Sequence, residues 1–214
     1  LIIDEVTERN LELFRRLDGK TGQGTLLGVL DQTMTPMGGR LLAQTLRGPW
    51  REEAPILETQ AAVDRLLDDA ARSRLRELLD GVYDVERLAT RIFLNRAGPR
   101  DFTALRQSLA ALPELGALVR RLAESGPAAL ARLAGEWDDL ADLRERFEAA
   151  LVDNPPPQIT EGGLFRSGYD PDLDELLELT EHGEAKMQEL LAEEQRGSGL
   201  ARLKLGYNRV FGYY

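Results

Sequence analysis

Apolar residues recur every three or four positions along most of the chain, which is the spacing of one face of an α-helix. Leu, Ala, Arg and Glu, which all favour helices, dominate these stretches. Polar caps, prolines and glycines indicate where each helix begins and ends. The pattern predicts helices over residues 25–30, from Pro36 to Gly48, around residues 56–67 and 75–79, after Asp84, from Pro99 to about Leu109, and over residues 115–123 and 140–152.

Other segments depart from the helical pattern. Residues 1–3 are apolar enough for a short strand, Thr7 can cap a turn that ends near Phe14, and residues 18–24 form a glycine-rich loop. The run 153–157 ends in three consecutive prolines and must break a helix. Residues 159–165, with two adjacent glycines inside, predict a small strand pair.

One long helix is predicted near the end of the chain. Asp170 caps it, Pro171 occupies its first turn, and it continues to about Gln195, before a Gly-Ser-Gly stop at residues 197–199. About 25 helical residues would span roughly 37 Å. Its apolar stripe consists of Leu173, Leu176, Leu177, Thr180, Met187, Leu190 and Leu191. The stripe either packs on its own domain or, if the helix projects, needs a second helix; the length and the acidic outer face favour a projecting arm.

The charge is distributed unevenly. The chain holds 27 Lys and Arg against 37 Asp and Glu, a net charge of −10, and a uniformly acidic surface would repel phosphate. Residues 170–194, however, carry ten acidic side chains and one lysine, whereas residues 195–214 carry four basic side chains and no acid. Four of the 13 aromatic residues also fall in the last eight positions. This abrupt change indicates a boundary between two structural units.

Residues 203–214 have a β-type composition rich in basic and aromatic side chains. Residue types alone leave two interpretations open. The segment is either a β-hairpin whose aromatic side chains pack across the strands, or a surface that meets phosphates with Arg and Lys. Because the chain opens without Met and stops inside this apolar-aromatic stretch, we expect it to be part of a larger protein.

Composition excludes several kinds of chemistry. With no cysteine, the chain has no disulfide scaffold, Cys-ligated zinc site or thiol nucleophile, and it fits a reducing compartment such as the cytoplasm. The single histidine, His182, cannot form a multi-histidine metal site. No apolar run approaches the roughly 20 residues of a membrane helix, so no membrane partner is expected.

Two short motifs imitate ligand sites. Residues 19–21 read Gly-Lys-Thr like the end of a phosphate-binding loop, but Phe14 stands where that loop needs its first glycine. Asp170 and the acids after it match part of a calcium loop, but Glu175 replaces the glycine of its sharp turn. A helix N-terminus explains these acids better. We therefore expect no cofactor and no metal in this chain.

Five segments, taken in chain order, carry a family resemblance. They read TLLGVLDQTMTPMGGRLL at 25–42, DVERLATRI at 84–92, PRDF at 99–102, EGGL at 161–164 with GYDPDLD at 168–174, and LKLGYNRVFGYY at 203–214. They resemble the core, the lever helix and the first clamp strands of the MutS DNA mismatch repair proteins. Because the matches keep their order over essentially the whole chain, the resemblance is specific.

The resemblance implies a mainly α fold with a multi-helix core, a long projecting lever helix, a small β pair near 159–165 and a truncated β segment at the C-terminus. It implies three parts: a helical core domain over 1–169, a lever helix over 170–196, and a linker with the first clamp strands over 197–214. In this family a cytoplasmic homodimer binds mismatched duplex DNA through its full clamp and signals to MutL. ATP and magnesium bind elsewhere in the parent, so this segment is expected not to be an enzyme.

The clamp resemblance also implies where DNA would be touched. Lys204 and Arg209, which flank the Gly206-Tyr207-Asn208 turn expected here, are the predicted contacts to the DNA backbone, with Asn208 as a hydrogen-bond donor. Arg196 and Arg202 rank lower because they can instead neutralise the C-terminal end of the lever. The predicted function is a coupler between an ATPase body and a clamp that grips DNA non-specifically. The alternative is an acidic helical scaffold that binds a partner protein through the lever stripe.

Overall fold

A computed structural model describes residues 3–210 and 212–214. The chain forms two compact units, Leu1–Leu164 and Phe165–Tyr214. Both units are dominated by helix, which confirms the predicted mainly α fold class. Among the residues that the structure describes, no helix combines the length and the apolar character that crossing a bilayer requires.

The first unit is built from nine described helices and one short 3₁₀ turn. The helices are α1 Glu5–Asn10, α2 Leu26–Leu30, α3 Pro36–Arg47, α4 Glu53–Arg65, α5 Asp69–Asp80, α6 Val85–Phe93, α7 Pro99–Ala123, α8 Ala128–Glu136 and α9 Ala141–Ala150, and the 3₁₀ turn is Ile159–Glu161. Side-chain caps begin many of them: Asp84, as predicted, accepts a hydrogen bond from the backbone N–H of Arg87, and Thr25 accepts one from that of Gly28. Proline opens α3 and α7, and Gly48 ends α3.

The N-terminal predictions need correction. Thr7 is not a cap; it lies inside α1, and the Asp4 carboxylate caps that helix by accepting from the Thr7 N–H at 2.7 Å. Because the Asp4 carboxylate, three residues upstream, accepts this free N–H, the helix begins before Thr7. Of the predicted strand over residues 1–3, Leu1 and Ile2 lie outside the described residues and Ile3 is not in a strand.

Helix α7 is the centre of the first unit. Its N-terminal half contributes Leu105 and Leu109 to a cluster with Leu88 of α6, against which Phe147 of α9 packs. Its C-terminal half contributes Leu118 and Leu122 to a second cluster, with Leu130 of α8. The buried face of α7 therefore holds the surrounding helices along both halves of its length.

The sequence predicts two helices where α7 is continuous. The 25-residue helix passes through Pro113, which removes one backbone hydrogen bond and costs about 3 kcal/mol. The helix survives because buried leucines lie on both sides of the proline, including Leu109 and Leu115, at 2% and 3% exposure. Helix α8, in a stretch to which the sequence pattern assigned no element, packs on the same helix.

Gly116 of α7 is predicted to tolerate no side chain. A Cβ there would clash with the Trp137 indole and lie 2.7 Å from Asp139 Oδ1, which itself accepts the indole N–H at 2.7 Å. Gly116→Ala should therefore lower the free energy of unfolding by about 2 kcal/mol, although Ala is the better helix former. Gly135→Ala in α8 is the matched control, because a Cβ there meets nothing within 4 Å.

We expect Gly135→Ala to raise stability by about 0.5–1 kcal/mol. Urea unfolding of both variants, followed by circular dichroism, measures the difference. The close packing assigned to Gly116 is wrong if both substitutions shift the urea midpoint of unfolding in the same direction.

Buried Arg106 ties α7 to the end of α9. Its guanidinium donates to the carbonyl oxygens of Leu151 and Val152, each at 3.2 Å, and of Asp153 at 3.3 Å. These carbonyls lie between the end of α9 and the prolines at 155–157. The helix ends before the prolines, as predicted. The arginine thus satisfies backbone acceptors that the broken helix leaves open.

The strand pair predicted over residues 159–165 is wrong. The segment contains a 3₁₀ turn, Ile159–Glu161, followed by Gly162 and Gly163 at φ of 73° and 68°. Two consecutive glycines in the left-handed region turn the backbone instead of extending it. The Val152 N–H donates to the Leu164 carbonyl at 3.1 Å, so the segment returns close to its starting point.

The second unit consists of a long helix and a short hairpin. Helix α10 spans Pro171–Ser198, with Asp170 as its cap and Gly199 closing it in the left-handed conformation, at φ of 71°. The helix starts where the sequence predicts, at Asp170, and ends at Ser198, three residues beyond the predicted Gln195. The antiparallel strands are β1 Tyr207–Asn208 and β2 Gly212–Tyr213.

Candidate nucleic-acid interface

The hairpin of the second unit carries the predicted DNA-contacting residues. Tyr207 pairs with Tyr213 and Asn208 with Gly212. The backbones of Gly206 and Tyr214 continue the ladder through two hydrogen bonds of 2.9 Å. The backbone is therefore a β-hairpin, which was one of the two interpretations of this segment.

The turn does not lie at residues 206–208, where the sequence predicts it. Residues 206–208 lead into and form a strand, and the turn follows at Arg209 and Val210. Glycine suggested a turn at position 206, but its role there is different: a Cβ on Gly206 would lie 2.7 Å from the Tyr214 ring. Lys204 and Arg209 therefore do not flank a turn; Lys204 precedes β1, and Arg209 lies in the turn itself.

Asn208 shapes the turn. Its Oδ1 accepts the Val210 N–H at 2.7 Å, a local bond typical of asparagine at turns. The acceptor of the side chain is thus used inside the hairpin, whereas its amide N–H groups are left as donors on an exposed residue. The role of Asn208 as a donor to the DNA backbone stays a prediction.

The segment between α10 and the hairpin is held by a side chain of the helix and by a backbone hydrogen bond of its own. Gln195 Nε2 donates to the Leu203 carbonyl at 2.8 Å, and the Leu203 N–H donates to the Leu200 carbonyl at 3.1 Å. Lys204 follows directly after this anchored residue. The position of its backbone is therefore coupled to the end of the helix.

The basic side chains near the hairpin face solvent. Arg202, Lys204 and Arg209 are exposed, and none of them belongs to an ion pair in the described part of the chain. Arg196 differs, because its Nε donates to the Ala192 carbonyl at 3.2 Å, within the last turns of its own helix. This geometry places Arg196 at the helix end, where a cation offsets the negative end of the helix dipole.

Exposed apolar side chains accompany these cations. Tyr207, Val210 and Tyr214 are 64%, 81% and 74% exposed. The hairpin thus presents cations and aromatic rings on one small segment. Such a surface can hold phosphate oxygens through the cations and offer rings for stacking.

The two motifs that imitate ligand sites have structural roles. Residues 18–24 form a loop in which Gly19 and Gly22 both have φ of 84°, and Lys20 pairs with Asp18 at 3.6 Å. The loop is closed by a bridge between Arg15 and Thr21, so no strand feeds a helix there as a phosphate-binding loop requires. Asp170 caps α10 by accepting the N–H groups of Asp172 and Leu173.

A second electrostatic site lies in the first unit, around Asp84. Arg40 donates to both Asp84 carboxylate oxygens at 2.7 Å, and also contacts Glu86 at 2.6 Å. The hydrogen bonds from Arg40, helped by the Arg87 N–H, lower the pKa of Asp84 to about 2. This ion pair joins α3 to the start of α6.

Asp84→Ala is expected to destabilise the first unit by about 1 kcal/mol through the lost helix cap, with a further loss from the Arg40 pair. The pKa of Asp84 is lower in the folded chain than in the unfolded chain. Its contribution is therefore complete above pH 4 and is lost as the pH falls toward 2. Urea midpoints of both proteins between pH 7 and pH 2 should converge at the acid end; a constant gap would contradict this account.

Comparisons with known proteins identify the family of the chain. Residues 6–203 match the family model of MutS domain III. The chain is 61% identical to a DNA mismatch repair protein MutS of Nitratidesulfovibrio vulgaris, 57% to one of Oleidesulfovibrio alaskensis and 41% to one of Methanothrix thermoacetophila. Each comparison covers all of this chain, but the chain spans only 25% of the length of each relative. The match over residues 6–203 and these identities show that the chain belongs to the MutS domain III family.

Proposed function

We propose that the chain is the core and lever segment of a MutS-like mismatch repair ATPase and couples the ATPase body to a DNA clamp. In this proposal residues 1–169 form the core domain, residues 170–196 the lever, and residues 197–214 the linker and first strands of the clamp. Family membership supports the proposal, and so does a 28-residue helix leading into a hairpin. The boundary between the two compact units lies a little earlier than residue 169, at Phe165. The Phe165 ring stacks on that of Tyr169 at 5.9 Å, just before the start of α10.

A long helix suits the proposed lever. Helix α10 has 28 residues and measures about 42 Å at 1.5 Å per residue. A stiff element of this length turns a small rotation at one end into a large displacement at the other. The Gln195 contact to the Leu203 carbonyl would pass that displacement to the hairpin.

The observation that carries the proposal is the change of charge along the second unit. Ten acids within residues 170–194 would be repelled by DNA, whereas the four basic residues within 195–214 would be attracted. The helix would thus hold the body away from the duplex and let only the hairpin approach. Contacts of this kind go to the phosphate backbone and carry no base sequence information.

The other activities of the parent are proposed to lie outside this segment. ATP and magnesium would bind in another domain, and the segment itself would carry no catalytic step. Partners of the parent would be mismatched duplex DNA through the complete clamp, the remaining MutS domains, a second subunit and a MutL-like protein. The lever and clamp connect these activities mechanically.

The test is salt-dependent binding of duplex DNA. The chain should bind weakly and without preference for a mismatch, and the affinity should fall with salt at a log–log slope of about −2 if Lys204 and Arg209 each contact one phosphate. Replacing both residues with Ala should bring the slope close to zero. Arg65→Ala with Arg121→Ala is the matched control, because it removes the same charge from exposed positions of the first unit.

Fluorescence anisotropy with paired and mismatched duplexes measures both quantities. Equal effects of the two double variants, or an affinity that does not change with salt, would remove the clamp assignment. The alternative function, a scaffold that binds a partner protein, would then be favoured. It is supported by exposed leucines on α10, among them Leu176 at 61% and Leu190 at 54% exposure.

A further inference from the structure

Residues 87–100, at the junction of α6 and α7, are basic. They contain four arginines and no acidic residue, within a chain of net charge −10. This density exceeds that of the C-terminal segment, where four basic residues are spread over residues 195–214. We call this region, together with the cavity beside it, the α6–α7 elbow.

Three of these arginines line one cavity. Arg87, Arg91 and Arg100 surround a space of about 480 Å³, together with Tyr83 and the carboxylates Asp84 and Asp101. Leu88, Ala104 and Pro157 supply apolar wall. The cavity is therefore lined by three cations, two carboxylates and hydrocarbon, and Tyr83 is 49% exposed beside it.

The acidic groups at the elbow already have partners. Asp101 accepts from Arg91 at 2.9 and 3.0 Å and from the Gly98 N–H at 2.8 Å, so it also caps α7. Asp84 and Glu86 are held by Arg40 from α3. Neither Arg87 nor Arg100 forms an ion pair among the residues that the structure describes, and both are exposed. Arg87 lies near enough to Asp84 and Asp101 to help lower the pKa of both carboxyl groups, but neither Arg87 nor Arg100 is held by an acid in a direct ion pair within the described chain.

The lining selects between two kinds of anionic ligand. Duplex DNA is met by cations on an open surface, and its phosphates gain nothing from an apolar cavity wall. A glutamate side chain has a hydrocarbon stem that can lie on such a wall while its carboxylate reaches an arginine, which binds carboxylates with two parallel hydrogen bonds. Arginine and tyrosine together are also enriched where proteins bind proteins.

We propose that the α6–α7 elbow is a docking site for an acidic protein segment. Carboxylates of the segment pair with Arg87 and Arg100, and the stem of one glutamate enters the cavity beside Tyr83. Arg91 stays with Asp101 and keeps the cavity wall in place. This site is separate from the hairpin and does not depend on the proposed clamp function.

The test uses the whole chain and a fluorescent, glutamate-rich peptide with one central leucine. Replacing Arg87 and Arg100 with Gln should weaken binding roughly tenfold, the effect of losing two charge-assisted contacts at a partly exposed site. Gln keeps a polar side chain of moderate length while it removes the positive charge. It also avoids the repulsion from Asp84 that a Glu substitution would add. The control with Arg65 and Arg121 both replaced by Gln should change the affinity less than about twofold.

A second readout locates the peptide. Amide chemical shifts in the first unit should move around Tyr83 and Ala104 when the peptide is added, and should not move in the double Gln variant. Circular dichroism confirms that each variant is folded. The proposal is overturned if the control weakens binding as much, if the peptide does not bind, or if duplex DNA displaces it from the elbow with higher affinity.

Discussion

Replacing Arg106 with methionine is expected to lower the free energy of unfolding by about 3 kcal/mol. The residue is 8% exposed, and its guanidinium donates to three backbone carbonyls at the end of α9. Methionine keeps most of the volume of the side chain but removes every donor, so these buried or half-buried acceptors lose charge-assisted bonds. The run of prolines that follows cannot supply N–H groups in their place.

Arg121→Met is the matched control, because Arg121 belongs to the same helix but is exposed. It should change the free energy of unfolding by no more than about 0.5 kcal/mol. Urea unfolding followed by circular dichroism at 222 nm, which reports helix, measures both variants. A loss for Arg106→Met no larger than for the control would mean that the carbonyls find other donors.

Local signals in the sequence were sufficient at several helix ends that a short-range bond decides. Asp84 and Asp170 were predicted as caps, and each accepts backbone N–H groups at the start of its helix; at α1 the predicted cap was Thr7, but Asp4 fills that role. Such bonds reach only two or three residues along the chain, so residue type and spacing contain the needed information. The same holds for Gly199, which ends α10 in a conformation that glycine adopts without strain.

Predictions failed where packing outweighs a local preference. Two helices were predicted on either side of Pro113, but the apolar period runs from Leu109 to Leu115 without a change of phase, and packing on both sides of the proline stabilises one helix. Gly162 and Gly163 were interpreted as a strand pair, although adjacent glycines have no side chains with which to stabilise a pleated surface. The sequence alone could not show which neighbour would cover each face.

The candidate site illustrates a different limit. The residue types of the hairpin were identified, but the turn was predicted at residues 206–208 and lies instead at Arg209 and Val210. Glycine marks both turns and close approaches, and here it makes room for the Tyr214 ring. Strand register depends on pairing between two segments, and a shift of one position exchanges the faces of the side chains. The arginines of the elbow show a third limit: their net charge is visible in the sequence, but the cavity they share is formed only by folding.

The second half of α10, residues 183–195, is expected to exchange its amide hydrogens at least about a thousandfold faster than the buried turns of α7. Packing supplies most of the stability of helices in proteins, and local opening free energies range from near zero to the global value. Helix α7 buries Leu109, Leu118 and other residues at 2–3% exposure. By contrast, no side chain of α10 that the structure describes is buried, and Leu190 is 54% exposed. Hydrogen exchange measured by mass spectrometry or NMR at several protein concentrations tests this. Protection of residues 183–195 equal to that of α7 at every concentration would contradict the prediction, whereas protection that rises with concentration would show that a second copy of the chain covers the leucines.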